Sequence, residues 1–223
     1  MASASDNAPL RPLVSISVTA YQHEAFIAEC LDSILSQRVT FSYEILFGED
    51  GSTDGTRAIA QRYAEAHPDK IRLFLRDRSQ VVRIDGRPTG RGNFLNNYEQ
   101  ARGRFLCHLD GDDHWTDPDR LQVMVDRLER EPDLSMCFHN AWNLYADGRR
   151  VDYVRLWAGP GPLRDRYTRE DLVTENWIPT SGTLWRIDPK PEVPEVWRTA
   201  TVGDWVFNLT FSERGPIGCV DRL

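Results

Sequence analysis

Apolar segments with two different periodicities alternate along the chain up to residue 139, and this alternation constrains the fold more than any other feature. Alternating apolar and small polar side chains predict a strand at residues 14–18, with further strands at 43–47, 71–75, 105–109 and 134–138. Between them, apolar residues at helical spacing predict helices over residues 26–35 and 56–66, one capped by Asn93, and one starting at Asp117-Pro118. This order predicts an α/β domain with a mainly parallel sheet covered by helices.

Polar loops follow three of the predicted strands, at residues 19–24, 49–55 and 110–115. Ligands of open parallel sheets bind at the carboxyl ends of the strands, so these loops are the first candidates for a site. After Asn140 the periodicity weakens and prolines recur, and all seven tryptophans lie at or after Trp115. We therefore predict a disordered lead-in at residues 1–12, a ligand-binding half at 13–115, and an irregular second half of the same domain at 116–223.

Composition excludes several classes of protein. The 223 residues are enough for one large domain, and a net charge of −7 argues against a general nucleic-acid binder. No stretch approaches the roughly 20 apolar residues of a membrane span, and the N-terminus lacks the basic and apolar regions of a signal peptide. The four cysteines are far apart in apolar contexts, which predicts buried, reduced thiols in a cytoplasmic protein.

An acidic cluster, His108-Leu109-Asp110-Gly111-Asp112-Asp113-His114-Trp115, follows one apolar strand. Carboxylates this close repel one another unless a cation lies among them, and hard oxygen ligands suit Mg²⁺ or Mn²⁺ shared with substrate phosphates. The alternative is a solvated acidic turn that caps the next helix. The histidines of this region, and His139, are interpreted as structural.

A second polar segment, Gly48-Glu49-Asp50-Gly51-Ser52-Thr53-Asp54-Gly55-Thr56, follows another strand. A carboxylate at its start can accept a hydrogen bond from a base or a ribose, and its glycines permit close backbone approach. The alternative is a Ser/Asp-rich loop in which Asp54 caps the next helix. The segment is neither a P-loop nor a GxGxxG motif, which disfavours a dehydrogenase.

These segments, together with Thr19-Ala20-Tyr21, occur in order after successive strands and resemble the inverting glycosyltransferases of family 2. The resemblance is strong over residues 13–130 and resumes weakly at 177–186 and at Gly203-Asp204-Trp205. It implies the GT-A fold, a Rossmann-like nucleotide-binding half joined to an irregular acceptor-binding half. Family members usually continue beyond a strand such as residues 217–220, so the sequence is either truncated or a minimal member.

The resemblance also implies roles for individual residues in donor binding. Thr19 and Tyr21 match the first nucleotide-contact loop, and Asp50 matches the carboxylate that hydrogen-bonds uracil. Glu49 stands where the family usually has a second Asp. Asp110 belongs to the motif that binds metal and ribose.

Within that motif, Asp112 would face the ribose and share in metal binding, and Asp113 would bind the Mn²⁺ or Mg²⁺ ion on the diphosphate. Asp204 matches the base that activates the acceptor, and it opens an amphipathic helix. Among the tryptophans that could present a ring to a sugar, Trp177 and Trp205 are assigned to the substrate site, and the others considered are Trp115, Trp142 and Trp185. An Arg-rich loop over residues 76–91 is either a solvated segment or a cover for the diphosphate.

The resulting hypothesis is a metal-dependent, inverting glycosyltransferase that moves a sugar from a nucleoside diphosphate sugar, most simply a UDP-sugar, to a hydroxyl of a glycan or other acceptor. Peripheral membrane association is compatible with it. Two alternatives remain. A nucleotidyltransferase usually carries a Gly-rich, basic loop after the first strand, which residues 19–24 lack, and a catalytically silent nucleotide-sugar-binding module would not need Asp113 and Asp204 together.

Overall fold

The computed structural model describes residues 11–159 and 161–221, and within these ranges the chain forms twelve strands, eight α-helices and two short 3₁₀ helices, Arg78–Gln80 and Thr180–Gly182. The strands are β1 Val14–Ala20, β2 Tyr43–Glu49, β3 Ile71–Leu75, β4 Arg83–Ile84, β5 Arg87–Pro88, β6 Phe105–Asp110, β7 Met136–His139, β8 Trp142–Leu144, β9 Arg150–Asp152, β10 Arg166–Tyr167, β11 Thr183–Arg186 and β12 Ile217–Val220. The helices are α1 Ile27–Leu35, α2 Thr56–Ala66, α3 Arg91–Gln100, α4 Arg120–Arg130, α5 Tyr153–Ala158, α6 Glu170–Val173, α7 Glu195–Thr199 and α8 Gly203–Ser212. None of the helices in the described ranges is long and apolar enough to cross a membrane.

One sheet organises the described chain, in the order β10-β12-β7-β11-β6-β1-β2-β3. The predicted parallel core is confirmed, since β1 pairs in parallel with both β2 and β6, β2 with β3, and β7 with β12. Strand β11 runs antiparallel between β6 and β7, and β10 runs antiparallel to β12. Two small hairpins, β4–β5 and β8–β9, stand outside this sheet.

The sheet is buried on both faces, as its apolar strands predict. In β2, Ile45 and Phe47 face a core cluster formed with α1, α2 and α4, whereas Leu46 between them faces a second cluster formed with α3, α7 and α8. All four cysteines are free and buried, which confirms the prediction of buried thiols.

Several details of the sequence interpretation are wrong. Asn93 does not cap α3 but lies inside it, buried, with its side-chain amide donating to the backbone oxygen of Gly48 at 2.8 Å. Helix α4 begins at Arg120 rather than at Asp117-Pro118, because Asp117 accepts from the backbone N–H of Asp119 (2.9 Å) in a preceding turn.

The expectation of few strands after Asn140 is also wrong, since five of the strands in the described ranges follow it. The two predicted halves, 13–115 and 116–223, share the central sheet, because β11 joins β6 to β7. Most of the predicted lead-in, residues 1–10, lies outside the described residues. Within its remainder, Arg11 Nε donates to the backbone oxygen of Arg102 at 2.6 Å and Pro12 is buried.

A buried carboxylate ties the strands together at the edge where they begin. Glu44 of β2, only 3% exposed, accepts from Ser15 Oγ at 2.7 Å and forms ion pairs with Arg72 (3.0 Å) and Arg102 (2.7 Å). Burial alone would raise the pKa of Glu44, but the hydrogen bonds from Arg102, Ser15 and Arg72 outweigh it and lower that pKa below its usual value. Glu44 therefore links β2 to β1, to β3 and to the turn before β6.

Replacing this carboxylate by its amide, Glu44→Gln, should lower the free energy of unfolding by about 1–3 kcal/mol at neutral pH. Because the folded-state pKa lies below the unfolded one, the contribution is complete above about pH 4.3 and is lost as the pH falls through the folded-state pKa. Urea unfolding of both proteins at a series of pH values should show the two stabilities converging on acidification. The matched control is Glu129→Gln, which breaks an exposed pair with Arg104 and should change stability by about 0.5 kcal/mol or less. If the free energy of unfolding of Glu44→Gln stays below that of the wild type by the same amount across this pH range, the prediction is contradicted.

Candidate active site

The register of the parallel strands brings the three predicted loops to one edge of the sheet. Thr19 of β1 stands opposite Asp110 of β6, and Ala20 stands opposite Glu49 of β2. The Thr19 hydroxyl donates to Asp110 Oδ1 at 2.7 Å, and the Asp50 N–H donates to the Ala20 oxygen at 3.0 Å. The edge is therefore continuous from the acidic cluster to the loop that follows β2.

Among the carboxylates of the acidic cluster, Asp110 is the one held by hydrogen-bonding partners on the sheet. His108 Nε2 lies 3.2 Å from Asp110 Oδ1, and the other ring nitrogen of His108 lies 3.1 Å from the buried Ser17 hydroxyl. The surrounding protein desolvates the Asp110 carboxyl, but His108 and Thr19 outweigh this and lower its pKa well below the usual range, although half of the side chain is open to solvent. His108, interpreted from sequence as merely structural, thus fixes Asp110. Its position two residues earlier on the same strand face was the available signal.

Asp112 and Asp113 lie in the exposed turn after β6. Asp112 is 53% exposed, 3.9 Å from His23 Nε2, and the Asp113 N–H donates to the Asp110 oxygen at 2.9 Å. Desolvation and the neighbouring Asp110 and Asp112 raise the pKa of Asp113 to about 6. Because the neighbouring carboxylates disfavour the ionised form of Asp113, a bound cation would stabilise that form.

The donor set suits Mg²⁺ or Mn²⁺ only in part. Among the described residues, no group of three or more His, Cys, Asp or Glu side chains is assembled to hold a metal ion. A cation that takes most of its ligands from phosphate and water needs only one or two carboxylates from the protein, and Asp112 and Asp113 can supply these. The residues therefore fit an ion that arrives with a diphosphate rather than one held by the protein alone.

At the other end of the edge, Asp50 is buried and paired with Arg78. Arg78 Nη1 lies 2.6 Å from Asp50 Oδ2, and its guanidinium stacks over the ring of Tyr21, 3.6 Å from the ring centroid. Burial raises the pKa of Asp50, although the charge of Arg78 opposes this. Asp50 opens into a cavity of about 540 Å³ that Phe74, Arg76 and Asn93 also line.

The rest of the loop after β2 has a structural role. Glu49 is fully buried, accepts from the Ser52 N–H at 2.6 Å and pairs with Arg57 at 2.5 Å. Asp54 Oδ1 accepts from the Thr56 N–H at 3.0 Å, but the N-cap of α2 is Gly55, so the capping role expected for Asp54 is not found. The segment is thus a hydrogen-bonded turn between β2 and α2.

The structure brings Asp204 to the acidic cluster although it lies far along the chain. Asp204 stands in the first turn of α8 and shares a cavity of about 260 Å³ with Thr19, His108 and Asp110. Its Oδ2 accepts from the Thr180 hydroxyl at 2.8 Å and from the Asn176 amide at 3.0 Å. Neither partner was identified from the sequence, because only the fold brings residues 176–180 beside α8.

The tryptophans assigned to the substrate are less open than expected. Trp177 is 5% exposed, packs on Phe138 and Tyr167, and donates to the Asp171 oxygen at 2.9 Å, so we leave it out of the site. Trp205 follows Asp204, is half-buried, and donates to the Leu172 oxygen at 2.7 Å.

The Arg-rich loop over residues 76–91 is neither a wholly solvated segment nor a single cover for a diphosphate. Arg76 donates to Asn97 Oδ1 at 3.0 Å, and Arg78 pairs with Asp50. Arg91 hydrogen-bonds the backbone oxygens of Trp197 and Ala200, and lies against Gly203, so that a Cβ there would collide with its guanidinium. Arg76 and Arg78 therefore face the Asp50 end, whereas Arg91 supports the start of α8.

Comparison with known proteins agrees with this geometry. The chain is similar to an uncharacterised protein of Mycobacterium tuberculosis, with 30% identity over 92% of this chain and 55% of that protein. It thus spans about half the length of the curated relatives it matches.

Solved structures share the fold. S. aureus TarS in complex with UDP superposes with a TM-score of 0.61 at 17% identity, over 94% of this chain and 58% of that chain. A mannosyltransferase from Pyrobaculum calidifontis, in complex with GDP-Man and Mn²⁺, superposes with a TM-score of 0.63 at 19% identity, over 96% and 55%. At these identities the likeness establishes the GT-A fold.

The family model for glycosyl transferase family 2 matches residues 15–178, which include β1, the loop after β2 and the acidic cluster. The chain belongs to glycosyl transferase family 2.

Proposed function

We propose that this chain is a metal-dependent, inverting glycosyltransferase that moves a sugar from a UDP-sugar to a hydroxyl of an acceptor. The observation that carries the proposal is the shared cavity of Asp204, Thr19 and Asp110 at the carboxyl edge of the parallel strands. The UDP complex of TarS and the GDP-Man and Mn²⁺ complex of the mannosyltransferase, both of this fold, support a nucleotide-sugar donor and a divalent ion. A cytoplasmic location stays a prediction.

The donor would lie along the edge of the sheet. Asp50 accepts a hydrogen bond from the base, Tyr21 packs near that base, and Thr19 and Asp110 line the path between base and sugar. Asp112 faces the ribose and, with Asp113, would hold the Mn²⁺ or Mg²⁺ ion on the diphosphate. When bound, that ion neutralises the charge that develops on the leaving diphosphate.

Asp204 supplies the general base. The acceptor oxygen attacks the anomeric carbon while the bond from that carbon to the diphosphate oxygen breaks, and the hydroxyl proton passes to the Asp204 carboxylate. One displacement inverts the anomeric carbon and needs no covalent intermediate on the enzyme. Thr180 and Asn176 orient the carboxylate, and Trp205 is retained as a candidate contact to the acceptor.

Two other functions are weaker. A nucleotidyltransferase would need basic and glycine residues directly after β1, where this chain has Tyr21 and Gln22. A catalytically silent module would bind the donor without turning it over, so substitution of Asp204 would cause no loss of activity.

The first prediction from the proposed function concerns the metal. Asp113→Ala should abolish Mn²⁺-dependent binding of UDP without unfolding the protein, because Asp113 is exposed in a turn. Calorimetric titration with UDP at saturating Mn²⁺ measures this, and Asp69→Ala, an exposed acid before β3, is the control. If Asp113→Ala binds UDP with wild-type affinity, Asp113 has no place in the metal site.

The second prediction concerns the base. Asp50→Ala should weaken UDP by about tenfold to a hundredfold, the range of a charged hydrogen bond, and should level the preference among UDP, CDP and GDP. Competitive titrations with the three nucleotides measure both effects. An equal loss for all three would show that Asp50 supports the loop rather than selecting the base.

The third prediction separates an enzyme from a binding module. Asp204→Asn should keep UDP affinity but lower the rate of donor turnover by a factor of ~10²–10⁴, because the amide cannot take the acceptor proton. The rate of UDP release from the donor, with water or saccharide as acceptor, measures it beside a UDP titration. Thr180→Val, which removes one hydrogen bond to Asp204, should cause a smaller loss. Wild-type turnover in Asp204→Asn would overturn its assignment as the base.

A further inference from the structure

A second cleft, separate from the cavity that contains Asp204, lies beside the acidic turn. It has a volume of about 730 Å³, within the usual range of ligand sites, and Asp112, Asp113 and Trp115 form one side of it. Phe26 and Glu29 near the start of α1, the hairpin β8–β9, and Arg120 and Ser181 line other parts of it. The cleft therefore opens directly beside the carboxylates assigned to the donor diphosphate.

The hairpin presents a tryptophan to this cleft. Trp142 pairs with Asp152 and Leu144 pairs with Arg150, so these four side chains emerge on one face of the hairpin. Trp142 is 44% exposed, and Trp142, Leu144 and Arg150 all line the cleft. An apolar ring and a guanidinium thus stand beside each other on one wall.

The other tryptophans of the chain do not offer such a ring. Five are buried or half-buried with the indole N–H already donated, namely Trp115, Trp177, Trp185, Trp197 and Trp205. Trp157 on α5 is as exposed as Trp142, at 47%, but does not line the cleft. Trp142 is therefore the one exposed indole in the described chain that faces this cleft.

Buried polar contacts hold the hairpin in place. Asn140 is 3% exposed; its amide donates to Asp152 Oδ1 at 2.6 Å, and its oxygen accepts from the Val154 N–H at 3.0 Å. The preceding residue, His139, accepts at Nε2 from Arg120 at 2.6 Å, and burial lowers the pKa of His139 to about 3, which keeps it neutral. These hydrogen bonds therefore hold the hairpin to the end of β7.

The same arginine connects the end of β7 with the segment beside the proposed base. Arg120 stacks on Trp115, 4.0 Å from its ring, and donates to the Ser181 oxygen at 3.0 Å. The neighbouring Thr180 donates to Asp204. Residues 180–181 thus link the cleft to the proposed base, because Ser181 lines the cleft and Thr180 contacts Asp204.

We propose that this cleft binds a saccharide acceptor, with one sugar ring stacked on Trp142. The inference rests on the proposed function and names the acceptor class of that site. A sugar has an apolar face of C–H groups for the indole and hydroxyl groups for the carboxylates and Arg150. The exposed side chains of Phe26, Leu144 and Tyr145 also line the cleft, but a lipid chain there would desolvate Glu29, Asp112 and Asp113 without hydrogen bonds, which is unfavourable.

The test compares two single substitutions, Trp142→Ala and Trp157→Ala, made in the full chain. Cellobiose, lactose, maltose and chitobiose serve as probes, and UDP release from UDP-glucose and UDP-N-acetylglucosamine is measured with and without each. We expect at least one disaccharide to accelerate UDP release. Trp142→Ala should raise its KM by about threefold to tenfold, the scale of an aromatic contact. Trp157→Ala should match the wild type, and Trp142→Phe should restore most of the affinity.

Binding without turnover gives an independent readout. Saturation-transfer NMR with the same disaccharides should show a signal in the wild type and in Trp157→Ala that is lost in Trp142→Ala, while thermal unfolding confirms that each variant is folded. No disaccharide signal in the wild type, or equal signals in the two alanine variants, overturns the saccharide cleft. Trp142-dependent disaccharide binding in a protein that binds no UDP would support the cleft and refute the proposed transferase instead.

Discussion

The parallel register of β1 between β2 and β6 is the constraint on which the site depends. It places the ends of three strands side by side, so that Thr19 reaches Asp110 and the backbone of Ala20 holds Asp50. A shift of one residue would exchange the two faces of β1 and separate these pairs. Glu44 opposes such a shift at the other edge, because it joins β1, β2 and β3 with short hydrogen bonds and ion pairs.

The negative charges of the acidic side chains along the site edge are compensated by different partners according to the burial of each side chain. Glu49 and Asp50 are buried and each has its own arginine, whereas Asp110 is held by a histidine and a hydroxyl. Asp112 and Asp113 remain exposed and close to Asp110. The excess negative charge is thus concentrated where a cation and a diphosphate are proposed to bind.

Local patterns predicted most of residues 13–115 because the strands and helices of this part alternate in sequence. The bounds of α2, β3 and β12 match the predictions, and the loops after β1, β2 and β6 meet as expected. The antiparallel insertion of β11 was not predictable, since four residues between prolines carry no signal of their partners. Contacts across the chain were equally hidden: Arg78 on Asp50, Thr180 on Asp204, and the enclosure of Trp177 while Trp142 stays open. Such facts depend on tertiary packing, which composition and periodicity do not encode.

The position of β11 also bears on how the chain acquires its structure during synthesis. In chain order β1 precedes β6, but the other neighbour of β6, β11, follows only after α4, β7, the β8–β9 hairpin and β10. Until then a nascent chain exposes the apolar edge of β6, which is a template for pairing with other chains. We therefore expect ribosome-bound fragments that stop before Thr183 to be prone to aggregation, and the residues proposed to bind the nucleotide to become ordered only after the later strands have joined the sheet.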